Sequence, residues 1–224
     1  MPGRDIPLVT ERIYHVLNRG IASQSVFSAK TDYQRLSEAI FYYQNQNPFL
    51  SYSRFLRLPT KERAEFLQEL RAKAKFLVEV VALCLMPNHF HLLLKQAKDG
   101  GTSLFMSKLT NSFTRYFNTK NERIGPLFQG KFKAILIETD EQLLHVSRYI
   151  HLNPYSSYLV KTPKDLEVYP YSSLPEYLGN LKTDFFQKGF VLNQFKSTIS
   201  YKEFVFDQAD YQRKLDQIKH LALE

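Results

Sequence analysis

The sequence predicts an α+β fold: an antiparallel sheet with helices packed on it. Three observations carry this reading. Strand-like runs, alternating or rich in Val, Leu and Ile, recur at 12–18, 76–85, 89–95 and 132–137. Apolar residues near helical spacing fill the stretches before, between and after them. The second run is joined to the third only by Met86-Pro87-Asn88, a turn from which the chain returns as the next strand.

Arg12 to Asn18 alternates as a strand does, and Gly20 closes it. Thr31 or Asp32 is placed to cap a helix running to about Asn45, with Leu36, Ile40 and Tyr43 on its apolar side. Asn47-Pro48 breaks it, and Thr60 caps a second helix through Phe66 and Leu70 to about Lys73. Phe76 to Leu85 reads as a buried strand. After the polar loop 97–101, Thr102 or Ser103 caps a helix to about Asn118, carrying Leu104, Leu109, Phe113 and Phe117. Phe132 to Ile137 is the last strand. Asp140 caps a helix with Leu143, Val146 and Ile150, which Pro154 is expected to end. Beyond it the chain is punctuated by Pro and Ser, with short helices expected near Leu174–Leu178 and Tyr201–Leu223. Residues 1–160 are therefore read as one domain, and 161–224 as a C-terminal extension packed on it.

Composition narrows the function classes. The 224 residues are 44% hydrophobic, enough to build a core. No apolar run approaches the roughly 20 residues that cross a bilayer. Met1 to Arg12 lacks the basic-then-apolar plan of a signal peptide, and a cytoplasmic protein is expected. The single Cys84 excludes an internal disulfide and a Cys-rich zinc site. The formal net charge is +8, which suits a polyanionic partner or merely a soluble basic protein. Six cations against two acids between 101 and 138 put about half of that excess in one segment.

Two groups of residues carry chemistry. In His89-Phe90-His91 the imidazoles share one strand face, because side chains alternate. The pair suits two strand histidines bonded to neighbours or two ligands of a metal ion. With no Cys in reach, a structural zinc is disfavoured; Mg²⁺, Mn²⁺ or a catalytic zinc fits better. In Arg148-Tyr149-Ile150-His151-Leu152-Asn153-Pro154, Tyr149 and Asn153 lie four apart and share a helix face beside the apolar stripe. Spacing alone leaves these as a packed tyrosine and a helix-ending asparagine, or as a nucleophile and a neutral oxygen ligand.

Together these stretches resemble a known family. Leu83 to Leu94 is similar to the His-hydrophobic-His strand of single-tyrosine HUH transposases. Gly125-Pro126-Leu127-Phe128-Gln129-Gly130-Lys131-Phe132-Lys133-Ala134 and Arg148 to Pro154 resemble the next two signatures of one branch, the REP-associated tyrosine transposases. Tyr14 to Gly20 resembles its first strand, so the likeness covers about residues 10–160, within which about 46–74 is longer than in compact members and reads as a helical insertion. The resemblance implies a ferredoxin-like or RRM-like antiparallel sheet with helices on one face. It implies that His89 and His91 are metal ligands, with Asn153 as a third, and that the ion is Mg²⁺ or Mn²⁺. Tyr149 matches the nucleophile.

Such an enzyme cleaves and rejoins single-stranded or hairpin DNA through a 5′-phosphotyrosine intermediate, without ATP, as a monomer or homodimer and away from membranes. Arg19, Arg115, Gln129, Lys131, Lys133 and Arg148 are the candidate DNA contacts, cations for phosphates beside aromatic rings that stack bases. Two other readings stand beside it. One is a catalytically silent nucleic-acid-binding protein on the same fold. The other is a metal hydrolase that activates water and forms no adduct. Tyr155 and Tyr158 read as surface or core, and His15, His145, His151 and His220 as structural or solvent-facing.

Overall fold

The structure, a computed structural model, describes residues 7–221 other than 47, 49, 74 and 184. The side chains of residues 71 and 217–221, His220 among them, lie outside the description. Four strands form one antiparallel sheet: β1 (Ile13–Arg19), β2 (Val78–Met86), β3 (His89–Gln96) and β4 (Lys133–Ile137). Their spatial order is β2-β3-β1-β4. Helices α1 (Lys30–Tyr43) and α4 (Gly101–Lys120) make the two crossovers, which is the ferredoxin-like arrangement expected. Between α1 and β2, the insertion folds as α2 (Tyr52–Phe55) and α3 (Thr60–Lys73).

Alternation sorts the sheet into two faces. Tyr14, Val16, Phe90, Leu92 and Leu94 point into a core shared with Leu36 and Ile40 of α1 and Phe105, Leu109 and Phe113 of α4. The Asp32 carboxylate ties these helices together. Buried, it accepts hydrogen bonds from the Ser28 and Ala29 amides, the Tyr116 hydroxyl and the Lys120 ammonium. Asp32 thus sits in the first turn and reaches back to its start, where the sequence had suggested a cap at Thr31 or Asp32.

The other face carries Ala82, Cys84, Met86 and Leu93 into a second core with α5 (Asp140–Ser156) and the C-terminal extension. Helices therefore cover both faces, the crossovers on one and α5 on the other, where the resemblance implied helices on one face. α5 starts on Thr139, whose hydroxyl accepts the Gln142 amide, rather than on Asp140. Pro154 does not end it. The missing donor falls in the last turn, so one helical bond is lost and the chain stays helical to Ser156.

The extension holds α6 (Leu174–Tyr177), α7 (Gly189–Leu192), α8 (Thr198–Asp207) and α9 (Ala209–Leu221). It occupies the free edge of β2: the Leu85 amide donates to Tyr171 O, the Ser173 amide to Leu83 O and the Gln187 amide to Val80 O. An edge so paired is closed to other strands. Buried His151 of α5 binds this layer from both ring nitrogens, Nδ1 at 2.7 Å from the Tyr201 hydroxyl and Nε2 at 2.7 Å from Ser173 Oγ. Burial pushes its pKa down to about 3, so it stays neutral in the fold.

Two outcomes follow from this packing. A Cβ on Gly101 would lie 2.2 Å from Leu77 O, so Gly101→Ala should cost about 1–3 kcal/mol in denaturant unfolding. The unfolded chain protonates His151 below about pH 6.5 while the folded chain does not, so stability must fall as pH drops through that value. Unfolding at pH 7.5 and 5.0 should show a loss of about 2 kcal/mol from this residue. His151→Gln should be weaker at pH 7.5 and less sensitive to acid.

Candidate active site

The second sheet face brings the histidines together. Leu17 of β1 pairs with His91 and Arg19 with His89, so His15, Leu17, Arg19, His89 and His91 all point to one side. Lys133 of β4 pairs with Leu17 and joins the same row. α5 lies over this row and lowers Tyr149 onto it. The Tyr149 ring centre is 5.6 Å from that of His91 and 6.0 Å from that of His15, edge-on to both. The His89 and His91 ring centres are 4.9 Å apart.

Each imidazole has a defined polar neighbour. Asn88 Oδ1 lies 2.6 Å from His89 Nδ1, and only a ring N–H satisfies a carbonyl oxygen there. His89 Nε2 is left with its lone pair. Asn88 is itself anchored, donating from Nδ2 to Ser23 O. His91 Nδ1 is 2.9 Å from His15 Nε2, while its own Nε2 is buried with no hydrogen-bond partner among the described residues. Burial holds His15 and His89 at about 4, with the Arg19 charge adding to the effect on His89. It holds His91 well below the ordinary value, assisted by His89, His15 and Arg19. All three rings are neutral near pH 7.

Asn153 stands one turn beyond Tyr149, and its Nδ2 donates to Tyr149 O at 2.8 Å. Burial raises the Tyr149 phenol, as does the charge of Asp216 on α9; the Asn153 amide and Arg19 act in the opposite direction. Gln212 of α9 also donates to Tyr149 O, at 3.2 Å, fixing this turn from outside.

The residue types fit a divalent ion. Two neutral imidazoles each carry an Nε2 lone pair without a hydrogen-bond partner among the described residues, one of them buried, and Asn153, one turn beyond Tyr149, carries an amide oxygen. Among the described residues no group of three or more His, Cys, Asp or Glu is arranged to hold a metal, so the protein's own donors would be few and uncharged. A cavity of about 690 Å³ lies elsewhere, between α1, α2 and α3 and near Phe185.

The candidate DNA contacts divide. Arg19 and Lys133 share the histidine row. The Gln129 amide donates to Arg19 O, which sets exposed Gln129 and Lys131 at the same end of the sheet. Arg115 belongs to α4, on the opposite face, in a polar cleft with Asn111, Asn118 and Arg123. Arg148 turns to the extension, where its guanidinium lies 4.4 Å from the Phe204 ring centre, and within α5 it lies 2.7 Å from His145 Nδ1. His15 is the site residue that sequence reasoning assigned elsewhere. Its place beside His91 depends on the β1–β3 register, and the only sign in the sequence was its alternation with Leu17 and Arg19.

Residues 55–153 match the model of the family described as "Transposase IS200 like", a stretch that contains His89, His91, Tyr149 and Asn153. A Haemophilus influenzae protein, provisionally named a REP-associated tyrosine transposase, is 31% identical over 105 residues. That alignment spans 42% of this chain and 58% of the relative, less than two thirds of its length. A solved structure, described as the REP-associated tyrosine transposase bound to a REP hairpin, superposes with a TM-score of 0.56 at 16% identity, over 83% of this chain and 91% of that one. Residues 55–153 are thus similar to the IS200-like transposases, and over most of its length the chain shares the fold of the solved REP-associated tyrosine transposase.

Proposed function

We propose that this protein is a single-tyrosine DNA transposase that cleaves and rejoins single-stranded or hairpin DNA through a 5′-phosphotyrosine. The observation that carries the reading is the convergence of Tyr149 with His89 and His91 across two distant elements of the chain. A packed tyrosine needs no partner set of this kind. The transposases to which the chain is similar support the same assignment.

The Tyr149 hydroxyl gives up its proton and attacks a DNA phosphorus, the bond to the 3′ oxygen breaks, and that oxygen leaves as a hydroxyl by taking up a proton in place of the one Tyr149 released. The phosphotyrosine keeps the bond energy, so attack by another 3′-hydroxyl rejoins the strands. A buried phenol ionises reluctantly. Arg19, facing the same row, favours the phenolate and is placed to take a phosphate oxygen. His89, His91 and Asn153 would hold Mg²⁺ or Mn²⁺, which supplies Lewis-acid neutralisation of a non-bridging phosphate oxygen. Lys133, Lys131 and Gln129 extend the cationic rim that DNA would follow, whereas Arg115 and Arg148 belong to other surfaces.

Incubation with Mn²⁺ and labelled hairpin DNA should trap a covalent adduct on denaturing gels. Tyr149→Phe should abolish the adduct and keep hairpin binding; an adduct that persists removes the nucleophile assignment. Binding without nicking by the wild type would mark a silent binding protein, and nicking without an adduct a hydrolase. Arg19→Ala and Lys133→Ala should each lower affinity in salt titrations and reduce the salt slope by about 1.

A further inference from the structure

We infer that His15 is a positioning residue that holds His91 in the tautomer presenting its Nε2 lone pair to the site. The inference rests on the metal-dependent reading above and adds a residue to it. The bond between His15 Nε2 and His91 Nδ1 is 2.9 Å long, and both side chains are buried. A bond between two neutral imidazoles contains one proton, so two arrangements exist. If His15 Nε2 carries it, His91 Nδ1 accepts, and the other His91 nitrogen must be an N–H. That N–H would be buried with no acceptor, since His91 Nε2 has no partner among the described residues. If His91 Nδ1 carries the proton, His15 Nε2 accepts it, and His91 Nε2 is a bare lone pair aimed into the site. The second arrangement leaves no stranded donor on His91, moves the His15 proton to Nδ1, which is not among the buried unpartnered atoms, and makes His91 match His89, whose Nδ1–H is spent on Asn88 Oδ1.

The two histidines are therefore built alike from different parts. Asn88, the residue beside His89, fixes one ring. His15, on the neighbouring strand and diagonal to His91 in the register, fixes the other. The two rings also stack, with centres 5.1 Å apart, so His15 restrains the plane of His91 as well as its proton. A metal-bound imidazole keeps its orientation through a bond from its remote nitrogen, and loss of such a partner typically weakens metal binding about 10–100-fold. His15 acts through His91 and is not itself a ligand.

The test reads tautomer and metal binding separately. Long-range ¹H–¹⁵N spectra of the metal-free, ¹⁵N-histidine protein at pH 8 should show His91 protonated at Nδ1 and bare at Nε2. His15→Phe should give a tautomer mixture and weaken Mn²⁺ binding, followed by EPR, about 10–100-fold. His15→Gln, whose amide oxygen can still accept, should recover most of that loss, which a merely space-filling role would not predict. Pulsed EPR on bound Mn²⁺ should count two imidazole nitrogens. An N–H at His91 Nε2 in the wild type, unchanged tautomer and affinity in His15→Phe, or three imidazoles on Mn²⁺ would each overturn the inference. If the wild type binds no Mn²⁺ at all, the metal reading fails, while the tautomer measurement still decides the role of His15.

Discussion

The constraint on which the rest depends is the burial of α5 against the second face of the sheet. Tyr149 lies on one helix and the histidines on a strand more than fifty residues earlier, so only this packing brings them together. Leu143 and Ile150 bury among Ala82, Cys84 and Leu93, and that stripe sets the rotation of the helix. At about 100° per residue, Tyr149 falls beside the stripe and meets the histidine row at its margin. The position is a compromise. Deeper burial would remove the phenol from any substrate, and a turn outward would remove it from the histidines.

A helix laid on one sheet face needs something behind it, and the C-terminal extension supplies that. α9 packs along α5 and fixes the Tyr149 turn through Gln212, while Arg213 binds the carbonyls of Tyr155 and Val160 just beyond. His151 joins α5 to Ser173 and Tyr201, and Ser173 is also bonded to the backbone of β2 through Leu83. The helix is therefore gripped from the sheet edge and from the outer layer at the turn that carries Tyr149. This gives physical content to an extension in which the sequence offered no chemistry.

Much of the architecture was legible because local signals agreed with it. The strands declared themselves through alternation or apolar runs, and both crossover helices through their spacing. The errors were at helix ends, where tertiary partners compete with local rules. Asp32 left the cap position because Tyr116 and Lys120 needed its carboxylate, and Pro154 stayed inside a helix whose last turn is held by packing. The site was half legible. His89 and His91 are neighbours in sequence, so their shared face follows from alternation alone. His15 could not be found that way, because its role depends on the β1–β3 register, a long-range pairing. Arg148 shows the converse: adjacency to Tyr149 along a helix puts it about 100° away, and it serves the extension instead.

The charge balance of the site points to how it would be used. Its candidate ligands are two neutral imidazoles and an amide, with no carboxylate cluster among the described residues. Hard divalent ions usually rest on one or two carboxylates together with substrate phosphates. Without the carboxylates, the phosphate has to bring the negative charge, so ion and DNA should bind better together than either alone. The same balance applies to the cations around the row. Arg19 depresses the neighbouring histidines and favours the Tyr149 phenolate, an arrangement costly beside a bare cation and relieved when a phosphate lies between them. A site of this composition is incomplete electrostatically until a polyanion fills it, which under the proposed function would tie its assembly to the arrival of DNA.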